Sequence, residues 1–184
     1  MVRTNLASLG EQALLAAIRA GRQDGFDELA RRHASAVRAL LRRMGCDPAA
    51  ADDLSQEAFI IAFRRLGELR EEGAFAGWVK RIAARLYLRR IKRRRGFEVP
   101  LEQAPEPSTS GIEPGLLIDL DQALRRLSEL ERLGVTLCHG AGLSHGEVAE
   151  ALGLPLGTVK SGIKRGLDKL RLYMDPALPR AANG

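Results

Sequence analysis

Residues 96–115, GFEVPLEQAPEPSTSGIEPG, decide what the rest of the chain can become. The stretch holds four prolines and four glutamates and no basic residue. Proline removes backbone donors and breaks helix, and the few apolar side chains leave little to collapse upon. The segment therefore reads as an extended, flexible acidic linker. A chain of 184 residues interrupted in this way folds as two small domains, 1–95 and 116–184. Charge divides along the same lines. Residues 1–95 carry 20 basic and 11 acidic side chains, the linker has a net −4, and residues 116–184 carry nine basic and eight acidic. An overall +6, concentrated in the first domain, calls for an anionic partner.

Several function classes fall away. No apolar run approaches the ~20 residues that cross a bilayer, and no hydrophobic segment near the start resembles a secretion signal, so no membrane insertion is expected. Cys46 and Cys138 lie far apart in no zinc, redox or disulfide spacing, which makes a reducing cytoplasm the expected compartment. Aromatic residues are only 4 %, leaving Leu, Ala, Val and Ile to build the core.

The first domain reads as a helical bundle. Phe26, Leu29, His33, Val37, Leu40 and Met44 recur three or four apart, and Gly45 stops the run. Asp47-Pro48 opens a second helix as N-cap and first-turn proline, with Leu54, Ala58, Ile61 and Leu66 as its inner face and Gly67 as its end. A third runs from about Phe75 to Arg95 with Trp78, Ile82, Leu86 and Ile91 as its buried stripe, and a short helix around Leu14 to Ile18 precedes them all. No stretch alternates with period two for long enough to form a strand.

Two of these helices carry concentrated charge. In ADDLSQEAF, Asp52 and Gln56 lie one turn apart, as do Asp53 and Glu57, making an acidic and amide face. Acids favour helix N-termini through the dipole, so on helix chemistry alone a solvated face is the simpler reading. In WVKRIAARLYLRRIKRRR, nine basic residues repel one another unless an anion is present, and Arg81, Arg85, Arg89 and Lys92 share a face. A phosphate backbone suits that face better than water alone, with Trp78 and Tyr87 as base-stacking surface.

The second domain reads as a helix-turn-helix. Ser128-x-x-Glu131 and Ser144-x-x-Glu147 are capping boxes; the first opens a helix that Gly140 ends. The second opens SHGEVAEAL, with Val148, Ala149 and Leu152 inward and Gly153 as the turn. LGTVKSGIKRGLDKLRLY follows, with Val159, Ile163, Leu167 and Leu170 inward and Lys160, Lys164, Arg165, Lys169 and Arg171 outward. Helix, glycine turn and a second helix with a basic outer face is the build of a major-groove reader, favoured here over a plain helical hairpin.

The segments DPAAADDLSQEAFIIAFRRL and FAGWVKRIAARLYLRRIKRRR resemble region 2 of bacterial sigma-70 factors. LSELERLGVTLCHGAGLSHGEVAEALGLPLGTVKSGIKRGLDKLR resembles their region 4. With only these two regions and a short linker, the chain resembles an extracytoplasmic-function (group IV) sigma factor. The resemblance implies an all-α fold of two helical domains. It implies that Asp52, Asp53, Gln56 and Glu57 dock on RNA polymerase core, whose β′ and β subunits are the expected partners. It implies that the helix bearing Trp78, Lys80, Arg81, Arg85, Tyr87, Arg89, Arg90 and Lys92 meets the −10 promoter element. Thr158, Lys160, Ser161, Lys164 and Arg165 are the residues best placed to read the −35 element. An anti-sigma partner and a nucleoid-associated cytoplasmic location are implied as well.

The sequence also departs from the family pattern. Arg85 and Arg89 stand where many relatives carry Asn and Asp, and Gly162 stands where an Arg is usual. Gly162 and Gly166 each cost about 1 kcal/mol of helix stability against Ala, predicting a recognition helix that is soft until it docks. Gly134 and the Cys138-His139 pair are atypical too. The spacing of Cys138, His139 and His145 matches no standard metal site, and no phosphate loop or nucleophile elbow is present, so no cofactor, metal or enzymatic activity is expected. His33, on an apolar stripe, reads as a packed histidine. Two other readings stand beside the sigma factor: a helix-turn-helix regulator that ignores polymerase, and a sigma-like interaction module acting by mimicry.

Overall fold

The computed structural model describes residues 6–69, 75–95 and 120–174, and every regular element among them is helical. The linker expected at 96–115 lies outside the described residues. The chain divides into two compact units, Met1–Arg90 and Ile91–Gly184.

The first unit contains α1 (Glu11–Arg19), α2 (Asp24–Met44), α3 (Pro48–Arg64) and most of α4 (Phe75–Arg95). The expected stop and start signals operate. Gly45 takes φ 109°, a left-handed conformation open to glycine, while Asp47 caps α3 by accepting the Ala50 N–H at 2.8 Å. The stripe Phe26, Leu29, Val37, Leu40 and Met44 is buried. Phe75, fully buried, stands edge-on to Phe26 with centroids 5.9 Å apart, which sets the start of α4 against α2. Glu11 ties three elements together: Oε1 accepts the Phe75 N–H at 3.2 Å and Oε2 lies 3.2 Å from His33 Nε2. His33 is thus half-buried beside a carboxylate and 5.6 Å from the Phe75 ring, not sealed among apolar groups alone. The Arg32 guanidinium donates to the carbonyls of Leu6, Ala7 and Leu9, fastening the N-terminal turn to α2.

Two details of the first unit differ from expectation. α3 ends at Arg64, ahead of Gly67, which instead lies within a short 3-10 turn, Leu66–Glu68. Its buried face is Ala50, Ala51, Leu54, Ser55, Ala58, Phe59 and Ala62, while Ile61 and Leu66 are only half-buried. On α4 the core side is Phe75, Val79, Ala83, Leu86 and Tyr87, with Trp78, Ile82 and Ile91 at its margin. Small alanines allow close approach, so the core runs along a line rotated from the one that large side chains mark.

The second unit contains α5 (Leu120–Arg125), α6 (Glu129–Val135), α7 (His145–Leu152) and α8 (Leu156–Met174). Both capping boxes form. α6 continues as one turn of π-helix, Thr136–Gly140, before the chain turns. Gly153 closes α7 at φ 68°, and the Leu154 N–H returns to the Ala149 carbonyl at 3.0 Å, reversing the chain into α8.

The glycines of α6 and α8 have a packing role. A Cβ on Gly134 would stand 2.7 Å from Ile163 Cγ1, one on Gly166 would stand 2.9 Å from Val135 Cγ2, and one on Gly162 would stand 3.2 Å from Leu130 Cγ. All three are buried where α6 and α8 cross. Close interhelical packing is thus a reason for glycine at these positions beside the helix-propensity loss that predicts a soft recognition helix.

Candidate nucleic-acid interface

On α3, Asp52, Asp53, Gln56 and Glu57 are all exposed on one side of the helix. Asp52 is drawn toward α2 by Arg38, whose Nε lies 3.5 Å from Oδ1. At 3.6 residues per turn, Ile60 and Phe63 continue the same face, and they are 52 % and 43 % exposed. Sequence periodicity missed both, since Ile60 adjoins the expected inner residue Ile61. Phe63 stands edge-on to Phe26 with centroids 5.0 Å apart, so part of its ring serves the α2–α3 packing, while Ile60 is left exposed beside the acids.

On α4, Arg81, Arg85, Arg89 and Lys92 are exposed along one face, while Lys80, Arg90 and Trp78 are half-buried. The Trp78 ring lies 6.2 Å from the Phe75 ring and tilted to it by 58°. Tyr87 is the correction. It is 7 % exposed, and its hydroxyl donates to the Met44 carbonyl at 2.7 Å inside the unit. A ring held there has no free face for a base, so Tyr87 leaves the stacking set and serves the α2–α4 packing.

On α8, Lys160, Ser161, Lys164 and Arg165 are exposed and Thr158 is half-buried, with the Ser161 hydroxyl donating to the Thr158 carbonyl at 3.0 Å. Gly162 sits on the opposite, buried side, so an arginine there would meet Leu130. Arg165 and Lys169 converge on Glu131, whose side chain is only 4 % exposed. Lys169 Nζ donates to Oε2 at 2.9 Å, and Arg165 Nε lies 3.6 Å from Oε1. Burial pushes the Glu131 carboxyl up, but the hydrogen bonds from Lys169 and Ser128 and the Lys169 charge outweigh it and hold the group below its ordinary value. One carboxylate therefore caps α6 and orients two cations of α8. The capping box made half of this legible in sequence; the reach to α8 was not.

A third basic feature had no counterpart in the sequence reading. Arg64 and Arg65, at the end of α3, line a cleft of about 330 Å³ with Arg85 and Arg89 of α4, between walls of Ile61 and Ile82. The remaining candidate chemistry is quiet. Burial, assisted by the charge of Glu147, pushes the Cys138 thiol up to about 11, which keeps it protonated and unreactive at neutral pH. Among the described residues no cluster of three His, Cys, Asp or Glu is placed to hold a metal ion, and no helix is long and apolar enough to cross a membrane.

Comparison with known proteins agrees with this arrangement. Residues 29–97 match the Sigma-70 region 2 family and residues 123–172 match Sigma-70 region 4. The ECF RNA polymerase sigma factor SigE of Mycolicibacterium smegmatis is 38 % identical over 159 residues, covering 81 % of this chain and 61 % of that relative's length. The ECF RNA polymerase sigma factor SigM of Mycobacterium tuberculosis is 33 % identical over 158 residues, covering 85 % of this chain and 81 % of the relative. The sigma factor RpoE of Bartonella quintana, solved as a co-crystal with the anti-sigma factor NepR, shares the fold with a TM-score of 0.51 at 22 % identity, covering 83 % of this chain and 98 % of that one.

Proposed function

Because the chain belongs to the ECF family of sigma-70 RNA polymerase sigma factors, we propose that it confers promoter specificity on core polymerase for transcription initiation. The polymerase does the chemistry; this chain supplies recognition. The α3 face of Asp53, Gln56 and Glu57, extended by Ile60 and Phe63, is the core-docking surface, with Asp52 at its margin. Trp78, Lys80, Arg81, Arg85, Arg89, Arg90 and Lys92 of α4 form the −10 surface. Thr158, Lys160, Ser161, Lys164 and Arg165 of α8 form the −35 surface, with Arg165 oriented by Glu131.

The observation that carries this reading is that one unit holds both a mixed acidic–apolar face and a basic helix, while the other holds a helix-turn-helix. A simple DNA-binding regulator has no use for the exposed Ile60 beside three acids. The domain plan is 1–95 for core and −10 contacts, 96–115 as a tether, and 116–184 for the −35 contact. An anti-sigma partner that covers the promoter-facing helices is the expected means of control, and the protein works in the cytoplasm at the nucleoid.

The test is assembly with purified core polymerase, followed by size-exclusion chromatography. The full chain is expected to co-elute stoichiometrically with core, and Asp53→Lys/Glu57→Lys to lower affinity at least about tenfold, the effect of losing complementary charge at an interface, with an unchanged circular-dichroism spectrum. Absence of any complex with the wild-type chain contradicts the assignment.

A further inference from the structure

We propose that Glu11 and His33 are positioning residues for Trp78. Together they fix Phe75, the first residue of α4, against which the Trp78 ring rests. The proposal rests on the reading of Trp78 as part of the −10 surface and names what holds that ring in place.

The hold begins at the backbone. The first N–H groups of a helix have no partner within it, and the helix dipole favours a carboxylate beside them. The Phe75 N–H donates to Glu11 Oε1 at 3.2 Å, across 64 positions of sequence. Glu11 itself stands in the first turn of α1, so one carboxylate serves the N-terminal ends of two helices. Its other oxygen, Oε2, lies 3.2 Å from His33 Nε2 on α2, and with both oxygens engaged the carboxylate cannot turn away. A carboxylate that only fastened α1 to α2 would have no need to reach α4.

The hold continues at the ring. His33 packs on Phe75 with centroids 5.6 Å apart, and Phe26 stands edge-on to the same ring at 5.9 Å. Phe75 is fully buried and secured through backbone and side chain alike. Trp78, one turn further on and half-buried, lies 6.2 Å from it. A stacking ring backed in this way is ordered before a base arrives, which removes part of the ordering cost of binding.

Trp78 is the one tryptophan of the sequence, so the intrinsic fluorescence of the full chain reports on this ring. The experiment compares emission wavelength, acrylamide quenching and titration with an oligo-dT strand in wild type, Glu11→Ala, Glu11→Gln, His33→Ala and Arg32→Ala. Arg32→Ala releases the N-terminal turn from α2 through bonds that do not involve Phe75, and so reports general loosening. Glu11→Ala is expected to move the emission to longer wavelength, to increase quenching and to weaken strand binding about fivefold, the equilibrium factor of one lost helix cap. Glu11→Gln keeps an acceptor for the Phe75 N–H and stays near wild type, as does Arg32→Ala. His33→Ala leaves that cap in place and gives a smaller shift in the same direction; it decides the matter should Glu11→Ala lose helix content by circular dichroism. Unaltered Trp78 emission and strand binding in Glu11→Ala and His33→Ala overturn the proposal, and so does an equal shift in Arg32→Ala. If Glu11→Ala moves the emission while oligo-dT leaves that of wild type unchanged, the positioning stands and the placing of Trp78 on the −10 surface fails.

Discussion

Replacing Gly166 by alanine separates a packing role for the α8 glycines from a flexibility role. Relative to glycine, alanine gains about 1 kcal/mol of helix propensity. Its Cβ would lie 2.9 Å from Val135 Cγ2 and 3.3 Å from both Glu131 Cβ and the Glu131 carbonyl oxygen. Val135 is branched and buried, and the carbonyl is backbone, so neither retreats freely. Overpacking of this kind costs about 1–3 kcal/mol, which leaves a net destabilisation of roughly 0–2 kcal/mol. At about 4–8 °C per kcal/mol for a small domain, Tm should fall by about 6 °C. Gly157, in the first turn of the same helix, has no atom within 4 Å of its would-be Cβ. Gly157→Ala therefore keeps the propensity gain and should raise Tm by up to a similar amount. Differential scanning calorimetry of the full chain reads both through the transition that moves. A Gly166→Ala transition shifted upward as far as that of Gly157→Ala would refute the packing argument and leave the soft-helix reading alone.

Three further predictions concern side chains whose roles the structure defines. Glu131→Gln should destabilise at neutral pH by releasing Lys169 and Arg165. The folded carboxyl sits below its ordinary value of 4.5, so its contribution is complete above that pH and lost as pH falls through the folded value. The wild-type advantage should therefore shrink below about pH 4, and a gap in denaturant stability independent of pH would contradict this. Tyr87→Phe should cost about 1–2 kcal/mol by stranding the Met44 carbonyl, while leaving promoter affinity unchanged in anisotropy titrations; weakened DNA binding at full stability would return Tyr87 to the interface. Lys160→Ala/Lys164→Ala should lower the salt slope of −35 duplex binding by about 1.8, at about 0.9 per phosphate contact, and an unaltered slope would remove both from that surface.

The sequence made local features legible and left most tertiary ones hidden. Caps and stops carry their own chemistry in adjacent residues, so Gly45, Asp47, Ser128, Ser144 and Gly153 marked helix ends correctly. α4 was bounded correctly at Phe75–Arg95 because its periodicity is long. Apolar spacing failed where alanines do the packing, turning the inner line of α3 toward Ala51, Ser55, Ala58 and Ala62. Tyr87 was misread because an aromatic residue in a basic helix serves a core or a base equally well until its neighbours are known. The glycines looked like helix defects for the same reason: only the facing Leu130, Val135 and Ile163 show why a side chain is excluded. Arg64 and Arg65 drew no attention, since nothing in their own segment announces Arg85 and Arg89 across the cleft.

The central claim is that this chain makes core polymerase start at chosen places. Transcription reconstituted from purified core, the full chain and genomic DNA of the source organism, followed by mapping of RNA 5′ ends, tests it most directly. Discrete starts that require the chain, and that share two conserved upstream elements, are the predicted result. RNA ends no more focused with the chain than with core alone would contradict the account.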